Sequence, residues 1–137
     1  MSEFDLRNAP PVVLHNIDTP VICALNGGAA GYGLDIALGC DIRIAARTAK
    51  MAPGFAKRGI LPESGGTWYL PRLVGWSRAC RIAMLGRDLD SDEALALGLL
   101  DEVVADADLA TAGRALATEI AGNAPLAIRS MKRLFRE

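Results

Sequence analysis

The sequence predicts an α/β fold built around a parallel β-α-β unit. Two short apolar runs with strand composition, residues 20–25 (PVICAL) and 42–46 (IRIAA), enclose a segment about as long as one crossover helix. Strands connected in this way pair in parallel, with a right-handed crossover between them. Helical segments follow this unit, which favours an α/β domain with a helical C-terminal part.

The remaining elements are indicated by helix-start and helix-end signals. Five helices and one strand are predicted, the helices at 67–73, 77–85, 91–97, 107–121 and 125–135 and the strand at 100–104. Asp90 or Ser91 caps the third helix, with Glu93 behind it. Gly86 and Gly98 end the second and third helices, because glycine readily adopts the conformation that terminates a helix.

Length and composition indicate a single domain. The chain has 137 residues, of which 51% are hydrophobic, enough for one core and too few for two ordinary domains. Its net charge is -1 with both signs interspersed, so we expect neither a nucleic-acid nor a membrane partner. Without a transmembrane-length apolar run or a signal-peptide pattern, the sequence predicts a cytoplasmic protein. Cys23, Cys40 and Cys80 are expected to be buried thiols rather than disulfides or metal ligands.

The most informative segment is residues 26–41, NGGAAGYGLDIALGCD, in which a glycine-rich loop runs into an apolar helix. Gly31 and Gly33 flank Tyr32 at the expected start of this helix, and Asp35 lies in its first turn. The first N–H groups of a helix have no partner within it and carry a partial positive charge. The segment therefore predicts an oxyanion site, where backbone N–H groups stabilise developing negative charge on a substrate oxygen.

Several other functional motifs are excluded by residue identity. A dinucleotide-binding fingerprint would need a glycine at Ile36, and no phosphate-binding G-K-[ST] loop is present. Residues 62–66, PESGG, superficially resemble the nucleophile elbow of a serine hydrolase. However, Pro62 replaces the first glycine, and His15, the only histidine, lies in the N-terminal segment. We therefore expect neither nucleotide binding nor a Ser64 nucleophile.

Two stretches of the chain resemble one family. They are TPVICALNGGAAGYGLDIALGCDIRIAARTAKM and RGILPESGGTWYLPRLVG, and they are similar to the crotonase superfamily, the enoyl-CoA hydratase and isomerase group. The resemblance implies an α/β fold with a partial crotonase-like ββα spiral core over residues 1–104, lacking the family's N-terminal strands. Residues 105–137 would form the C-terminal helices of the same domain. It also implies an acyl-CoA substrate, no cofactor beyond the coenzyme A of that substrate, no metal, and a homo-oligomer, either trimer or hexamer.

The resemblance assigns roles to four positions. It places a family oxyanion donor at the N–H of Tyr32 and the first hydratase carboxylate at Asp35. The second hydratase glutamate falls on Phe55, which cannot activate water or transfer a proton. Glu63, in contrast, lies where isomerases of the superfamily keep an acidic residue. We therefore predict an isomerase rather than a hydratase, with Glu63, Asp35 and Tyr32 as its catalytic residues.

The predicted substrate contacts surround these catalytic positions. They are Ala29, Gly31, Gly33, Phe55, Leu61 and Trp68. Three of the assigned residues also have purely structural interpretations. Asp35 could simply be a first-turn acid that the helix dipole stabilises, and Glu63, which follows a proline, could be an ordinary turn residue or an N-cap neighbour. Trp68 could be a core residue, since helical aromatic side chains usually bury.

Two alternative functions follow from the same resemblance. The family's N-terminal strands supply the first oxyanion N–H and much of the coenzyme A pocket, and they have no counterpart in this sequence. The chain could therefore be a truncated, non-catalytic acyl-CoA-binding or assembly subunit, or a CoA-thioester hydrolase. The missing strands should also leave a sheet edge and apolar surface uncovered, which favours association with another chain.

Overall fold

The structure is a computed structural model that describes residues 6–62 and 64–137. The strands are β1 (Ile22–Leu25), β2 (Gly28–Ala30), β3 (Ile42–Ala46), β4 (Lys50–Ala52), β5 (Leu89–Asp90) and β6 (Glu102–Val104). The helices are α1 (Pro10–Asn16), α2 (Tyr32–Leu38), α3 (Gly66–Val74), α4 (Trp76–Leu85), α5 (Ser91–Leu97), α6 (Leu109–Ala121) and α7 (Pro125–Arg136). Short 3₁₀ turns occupy Leu6–Asn8, Ala56–Arg58 and Asp106–Asp108. Glu63, the predicted proton shuttle, lies outside the described residues.

The first sheet has the order β1-β3-β6 and is parallel throughout. The register places Ile22 of β1 opposite Ile42 of β3, which confirms the predicted parallel pairing of the two strands. The central strand β3 is almost completely buried, and Ile44 and Ala45 are at most 1% exposed. Apart from Arg43, β3 is apolar, which is the pattern expected for a parallel strand that is covered on both faces.

A second sheet, with the order β2-β4-β5, was not predicted. β2 pairs in parallel with β4, with Gly28 opposite Lys50, and β4 pairs antiparallel with the two-residue β5. The prediction of a loop was therefore wrong for Gly28–Ala30. Glycine and alanine have low strand propensity, so pairing with β4, rather than local sequence, explains why this segment is extended.

The predicted helices are present, with boundaries that differ by at most two residues. The side chain of Asp90 caps α5 by accepting a hydrogen bond from the Glu93 N–H at 2.8 Å, so Asp90 rather than Ser91 is the cap. Gly86 and Gly98 terminate α4 and α5 as expected. Helix α1 begins at the paired prolines Pro10 and Pro11, which suit the first turn of a helix.

Helix α2 packs against both α1 and α3, and these contacts position the candidate site. It buries Leu34, Asp35, Ala37 and Leu38. At its end, a Cβ on Gly39 would overlap the Pro11 carbonyl oxygen and lie 2.9 Å from the Pro11 Cα. Helix α1 therefore approaches α2 more closely than any residue with a side chain would allow.

A buried arginine connects the first sheet to the segment before β6. Arg43, on β3, is 3% exposed. Its guanidinium donates to the carbonyl oxygens of Leu99 at 2.8 Å and Cys40 at 2.6 Å, and it lies 3.7 Å from the Asp101 carboxylate. These contacts satisfy a charge that would otherwise be costly to bury.

Helix α7 packs against the rest of the chain through its basic face. Lys132 is 8% exposed, and its Nζ lies 2.6 Å from Asp41 Oδ2 and donates to the Thr19 carbonyl at 2.9 Å. Leu134 and Phe135, on the other face, are 64% and 87% exposed. No helix within residues 6–62 and 64–137 is long and apolar enough to cross a membrane.

Candidate active site

The first turn of α2 is formed as the sequence predicted. Gly31 precedes the helix with φ +51° and ψ −121°, a conformation that glycine adopts much more readily than other residues. Its carbonyl accepts the N–H groups of Leu34 and Asp35 at 3.0 and 3.1 Å. No backbone oxygen among the described residues accepts the N–H of Tyr32 or Gly33. Tyr32 is 44% exposed, so the start of α2 lies at the protein surface.

Asp35 is buried where α2 crosses α3. It is 1% exposed, and its Oδ1 lies so close to Gly66 that a Cβ on that glycine would overlap it. The pKa of the Tyr69 phenol is raised, mainly by burial and secondarily by the nearby negative charge of Asp35. The structure thus brings the first-turn acid of α2 against the beginning of α3.

Asp35 and Phe55 face the same small cavity, which holds about 10 Å³. The other lining residues are Leu34, Leu38, Pro53, Pro62, Gly66, Leu70 and Ala83. Asp35 is the only ionisable side chain among these described residues, and Phe55 is 8% exposed. The cavity has room for about one water molecule, and its surroundings are otherwise apolar.

The segment that carries Glu63 borders this cavity at both of its ends. Pro62 and Gly66 line the cavity, and Ser64 between them is 7% exposed. The Thr67 N–H donates to the Pro62 carbonyl at 3.3 Å, which closes the turn into α3. Glu63 itself is outside the described residues, so its role stays a prediction.

The predicted substrate contacts occupy several different places. Gly31 and Gly33 flank Tyr32 at the start of α2, whereas Ala29 is buried in β2, opposite Met51 of β4. Leu61 is 72% exposed. Phe55 is the only predicted contact that shares the cavity with Asp35.

Trp68 lies apart from the other candidate residues. It is two residues after Gly66 on α3, and a two-residue step on a helix points to nearly the opposite side. Its ring centroid lies 5.1 Å from those of His15 and Tyr69, and the Arg72 guanidinium lies 3.9 Å from it. Burial, partly offset by the charge of Asp41, lowers the pKa of His15, in keeping with a packing role for that histidine.

Two residues near Asp35 were missed from the sequence. Tyr69 is 5% exposed and donates from its hydroxyl to the Pro11 carbonyl at 3.2 Å, so it joins α3 to α1. Gly66 forms the close contact with Asp35. The paired glycines Gly65 and Gly66 could have indicated this contact, since glycine often marks a place where another segment approaches the backbone closely. Within residues 6–62 and 64–137, no three His, Cys, Asp or Glu side chains are arranged to hold a metal ion.

With this geometry described, comparison with known proteins identifies the family. The family described as Enoyl-CoA hydratase/isomerase matches residues 12–137. The chain belongs to this family. Its predicted crotonase resemblance and α/β fold class are thereby confirmed, and solved structures of the family superpose closely on it.

Two curated relatives illustrate the range of activities in the family. One is the 1,2-epoxyphenylacetyl-CoA isomerase of Escherichia coli (strain K12), 47% identical over 108 residues, which are 79% of this chain and 41% of that protein. Another is a probable enoyl-CoA hydratase of Rhodobacter capsulatus, 38% identical over 122 residues, with 89% of this chain and 48% of that protein covered. The relatives of this chain therefore include both an isomerase and a probable hydratase.

The solved structures agree in fold and in coverage. The enoyl-CoA hydratase from Bacillus anthracis superposes with a TM-score of 0.91 at 36% identity, covering 93% of this chain and 49% of that one. A putative enoyl-CoA hydratase from Thermobifida fusca, solved in complex with CoA, gives 0.86 at 38% identity, with 89% and 48% covered. The chain thus spans about half the length of the relatives it matches.

Proposed function

We propose that this chain acts on acyl-CoA thioesters by stabilising an enolate in an oxyanion site, and that it isomerises its substrate rather than hydrating it. The observation that carries the proposal is the first turn of α2. There no described backbone oxygen accepts the N–H of Tyr32, and Asp35, three residues later, is buried beside the segment that carries Glu63.

The oxyanion role belongs to the backbone of Tyr32. When a proton leaves a carbon next to a thioester, negative charge develops on the thioester oxygen, and a fixed N–H donor stabilises it. The open start of α2 supports this role, because its N–H groups have no partner within the helix. One such donor contributes about 3 kcal/mol of transition-state stabilisation in characterised enzymes.

Proton transfer is assigned to Glu63, assisted by Asp35. An isomerisation removes a proton from one carbon and returns it to another, which a single well-placed carboxylate can do. Pro62 and Gly66, near Glu63 on either side, border the same cavity as Asp35, which supports a joint role for the two acids. An apolar environment favours the protonated form of a carboxylate, so that it can hold the proton between the two transfers.

The preference for isomerisation rests on Phe55. Adding water across a double bond by the family's hydratase mechanism requires a second acid at this position. Phe55 is instead buried at the cavity wall, and Asp35 is the only ionisable side chain among the described lining residues. The 47% identity to an acyl-CoA isomerase supports the same choice.

The surroundings of the reaction are part of the proposal. The protein would bind its substrate through the coenzyme A group, and the proposed chemistry needs no further cofactor or metal.

We propose that the protein is cytoplasmic and forms a homo-oligomer, a trimer or hexamer. The exposed apolar face of α7 supports association with another chain, because isolated apolar patches of this kind are usually covered.

A second candidate is a non-catalytic acyl-CoA-binding or assembly subunit. It is favoured by the two sheets, in which β1 and β2 each have only one neighbouring strand among the described residues. Unpaired strand edges readily accept a strand from another chain. The partner would then complete the fold that this chain, about half the length of its relatives, contributes in part.

A product assay with Glu63→Gln separates these possibilities. The chain is incubated with a panel of 3-enoyl- and aryl-CoA thioesters, and products are followed by mass and ultraviolet absorbance. Isomerisation leaves the mass unchanged, hydration adds one water, and hydrolysis releases a free thiol. We expect a product of unchanged mass from the wild type and none from Glu63→Gln, with binding retained. Wild-type binding without turnover would favour the second candidate, and undiminished turnover by Glu63→Gln would exclude that residue.

A further inference from the structure

We propose that Gly66 is a positioning residue for Asp35: because it lacks a Cβ, the Asp35 carboxylate can lie directly against the first turn of α3. The inference rests on the proposed function, in which Asp35 assists proton transfer. It extends that function by identifying, on a different helix, the residue that determines where the acid lies.

The steric case comes from the contacts that a side chain at position 66 would make. A Cβ there would overlap Asp35 Oδ1, lie 3.2 Å from Asp35 Cγ, and lie 2.8 Å from the Cβ of Pro62. None of these neighbours can easily move away. Asp35 is 1% exposed and belongs to a packed helix. The Cβ of Pro62 is part of the pyrrolidine ring and cannot rotate away from the contact.

Backbone conformation does not explain the glycine. Gly66 is the first residue of α3 and does not have a positive φ, so its backbone conformation is one that residues with side chains also adopt, in contrast to Gly65, whose φ is +119°. In a helix, glycine is less favourable than alanine. The close contact with Asp35 and Pro62 is therefore the reason that a glycine suits this position.

Electrostatics favours the same arrangement. The N-terminus of a helix carries a partial positive charge, which stabilises a nearby carboxylate. Asp35 reaches this end of the nine-residue α3 only because position 66 has no side chain. A Cβ would push the carboxylate away from α3 and change its place in the cavity that it shares with Phe55.

The test compares Gly66→Ala with a matched control, Gly113→Ala. Gly113 is also helical, but a Cβ there would make ordinary contacts, 3.5 Å from Ile44 Cδ1 and 3.7 Å from Ala24 Cβ. The first readout is the pH titration of the Asp35 carboxyl, followed by carbon-13 NMR. In Gly66→Ala we expect its midpoint to rise by a few tenths of a pH unit as contact with the helix end is lost. In Gly113→Ala it should equal the wild-type value.

The second readout is turnover of the substrate found in the product assay. Misplacing a catalytic group by about 1 Å can cost up to a hundredfold in rate. We expect kcat of Gly66→Ala to fall about tenfold or more, with KM changed less than about twofold and the pH profile displaced. Gly113→Ala should keep wild-type values, which separates positioning from a general effect of adding a methyl group to a helix.

These readouts distinguish the inference from the proposed function. An unchanged Asp35 titration in folded Gly66→Ala would overturn the inference whatever the activity. Full turnover by Asp35→Asn would instead remove Asp35 from the mechanism. The contact between Gly66 and Asp35 would still be tested by the titration of Asp35 in Gly66→Ala. If Gly66→Ala does not fold, the double variant with Asp35→Ala should recover folded protein, because the main overlap is gone. Failure of the double variant to do so would also contradict the proposal.

Discussion

Helix α2 and helix α7 are packed against their neighbours by opposite means. Around α2, glycines permit close contacts: Gly39 leaves room for the Pro11 carbonyl of α1, and Gly66 of α3 leaves room for the Asp35 carboxylate. Helix α7, in contrast, is attached by charges: Lys132 and Arg136 bond to carbonyl oxygens and carboxylates of residues 14–19 and Asp41. Steric fit is insensitive to salt and pH, whereas charge pairing responds to both. The comparison therefore predicts different ways to disrupt each region.

The largest effect on stability is expected at the buried lysine of α7. Lys132→Met removes the partner of Asp41 and leaves the Leu14 and Thr19 carbonyls without their donor. Breaking a buried pair from one side typically costs 3 to 5 kcal/mol, and the partial exposure of Asp41 places the expected loss near the lower end, about 3 kcal/mol. Urea unfolding measures this loss in the free energy of unfolding. A loss below about 1 kcal/mol would mean that the contacts of Lys132 do not stabilise the packing of α7.

A somewhat smaller effect is expected where α2 contacts α1. In Gly39→Ala the new methyl group would overlap the Pro11 carbonyl, a backbone group that cannot rotate aside. Overpacking of this kind costs about 1 to 3 kcal/mol, and we expect about 2 kcal/mol in urea unfolding. Gly28→Ala is the control, because a Cβ there meets nothing within 4 Å. Equal losses in the two variants would contradict the close approach.

Salt should separate the two regions further. Screening at 1 M ionic strength weakens exposed ion pairs, such as those of Arg129 and Arg133 with Asp18. Amide hydrogen exchange in α7 should therefore accelerate about twofold to fivefold in high salt, which corresponds to less than about 1 kcal/mol. Exchange in α2 and α3 should stay constant. Uniform acceleration across all three helices would show that they open together.

The smallest expected effect is the acid response of α7. Hydrogen bonds from Arg133 and then Arg136 lower the pKa of Asp18 from 3.8 to about 2. Because the pKa is depressed in the folded state, the stabilisation is complete above about pH 4 and is lost as the pH falls toward 2. Exchange in α7 should rise over this window in the wild type, and Asp18→Asn should remove that rise. If the exchange of α7 still rises in Asp18→Asn, carboxylates other than Asp18 are responsible for the rise.

The sequence predicted the parts of the molecule that depend on local pattern. Residues 42–46 and 91–97 are the strand and helix that apolar runs, an aspartate cap and terminal glycines indicated. The start of α2 at Gly-Tyr-Gly could likewise be predicted, because the backbone geometry there depends on the glycines themselves. Local signals of this kind are sufficient where neighbouring residues determine the conformation.

Contacts between distant segments could not be predicted in the same way. β2 is extended only because it pairs with β4, and nothing in Gly28–Ala30 favours a strand. Helix α7 has an apolar face that periodicity alone would turn toward the core, yet its basic face packs inward because carbonyl groups and Asp18 lie there. The contact of Gly66 with Asp35 likewise depends on how two helices cross.

The most direct test of the proposed chemistry is hydrogen exchange at the substrate carbon. An acyl-CoA thioester is incubated with the chain in deuterated water, and mass spectrometry follows deuterium entering next to the thioester carbonyl. If Tyr32 N–H stabilises an enolate while Glu63 and Asp35 move protons, the wild type incorporates deuterium. Glu63→Gln should then lose nearly all of this exchange, and Asp35→Asn should lose much of it. Absence of exchange in the wild type, or equal exchange in all three proteins, would contradict the account.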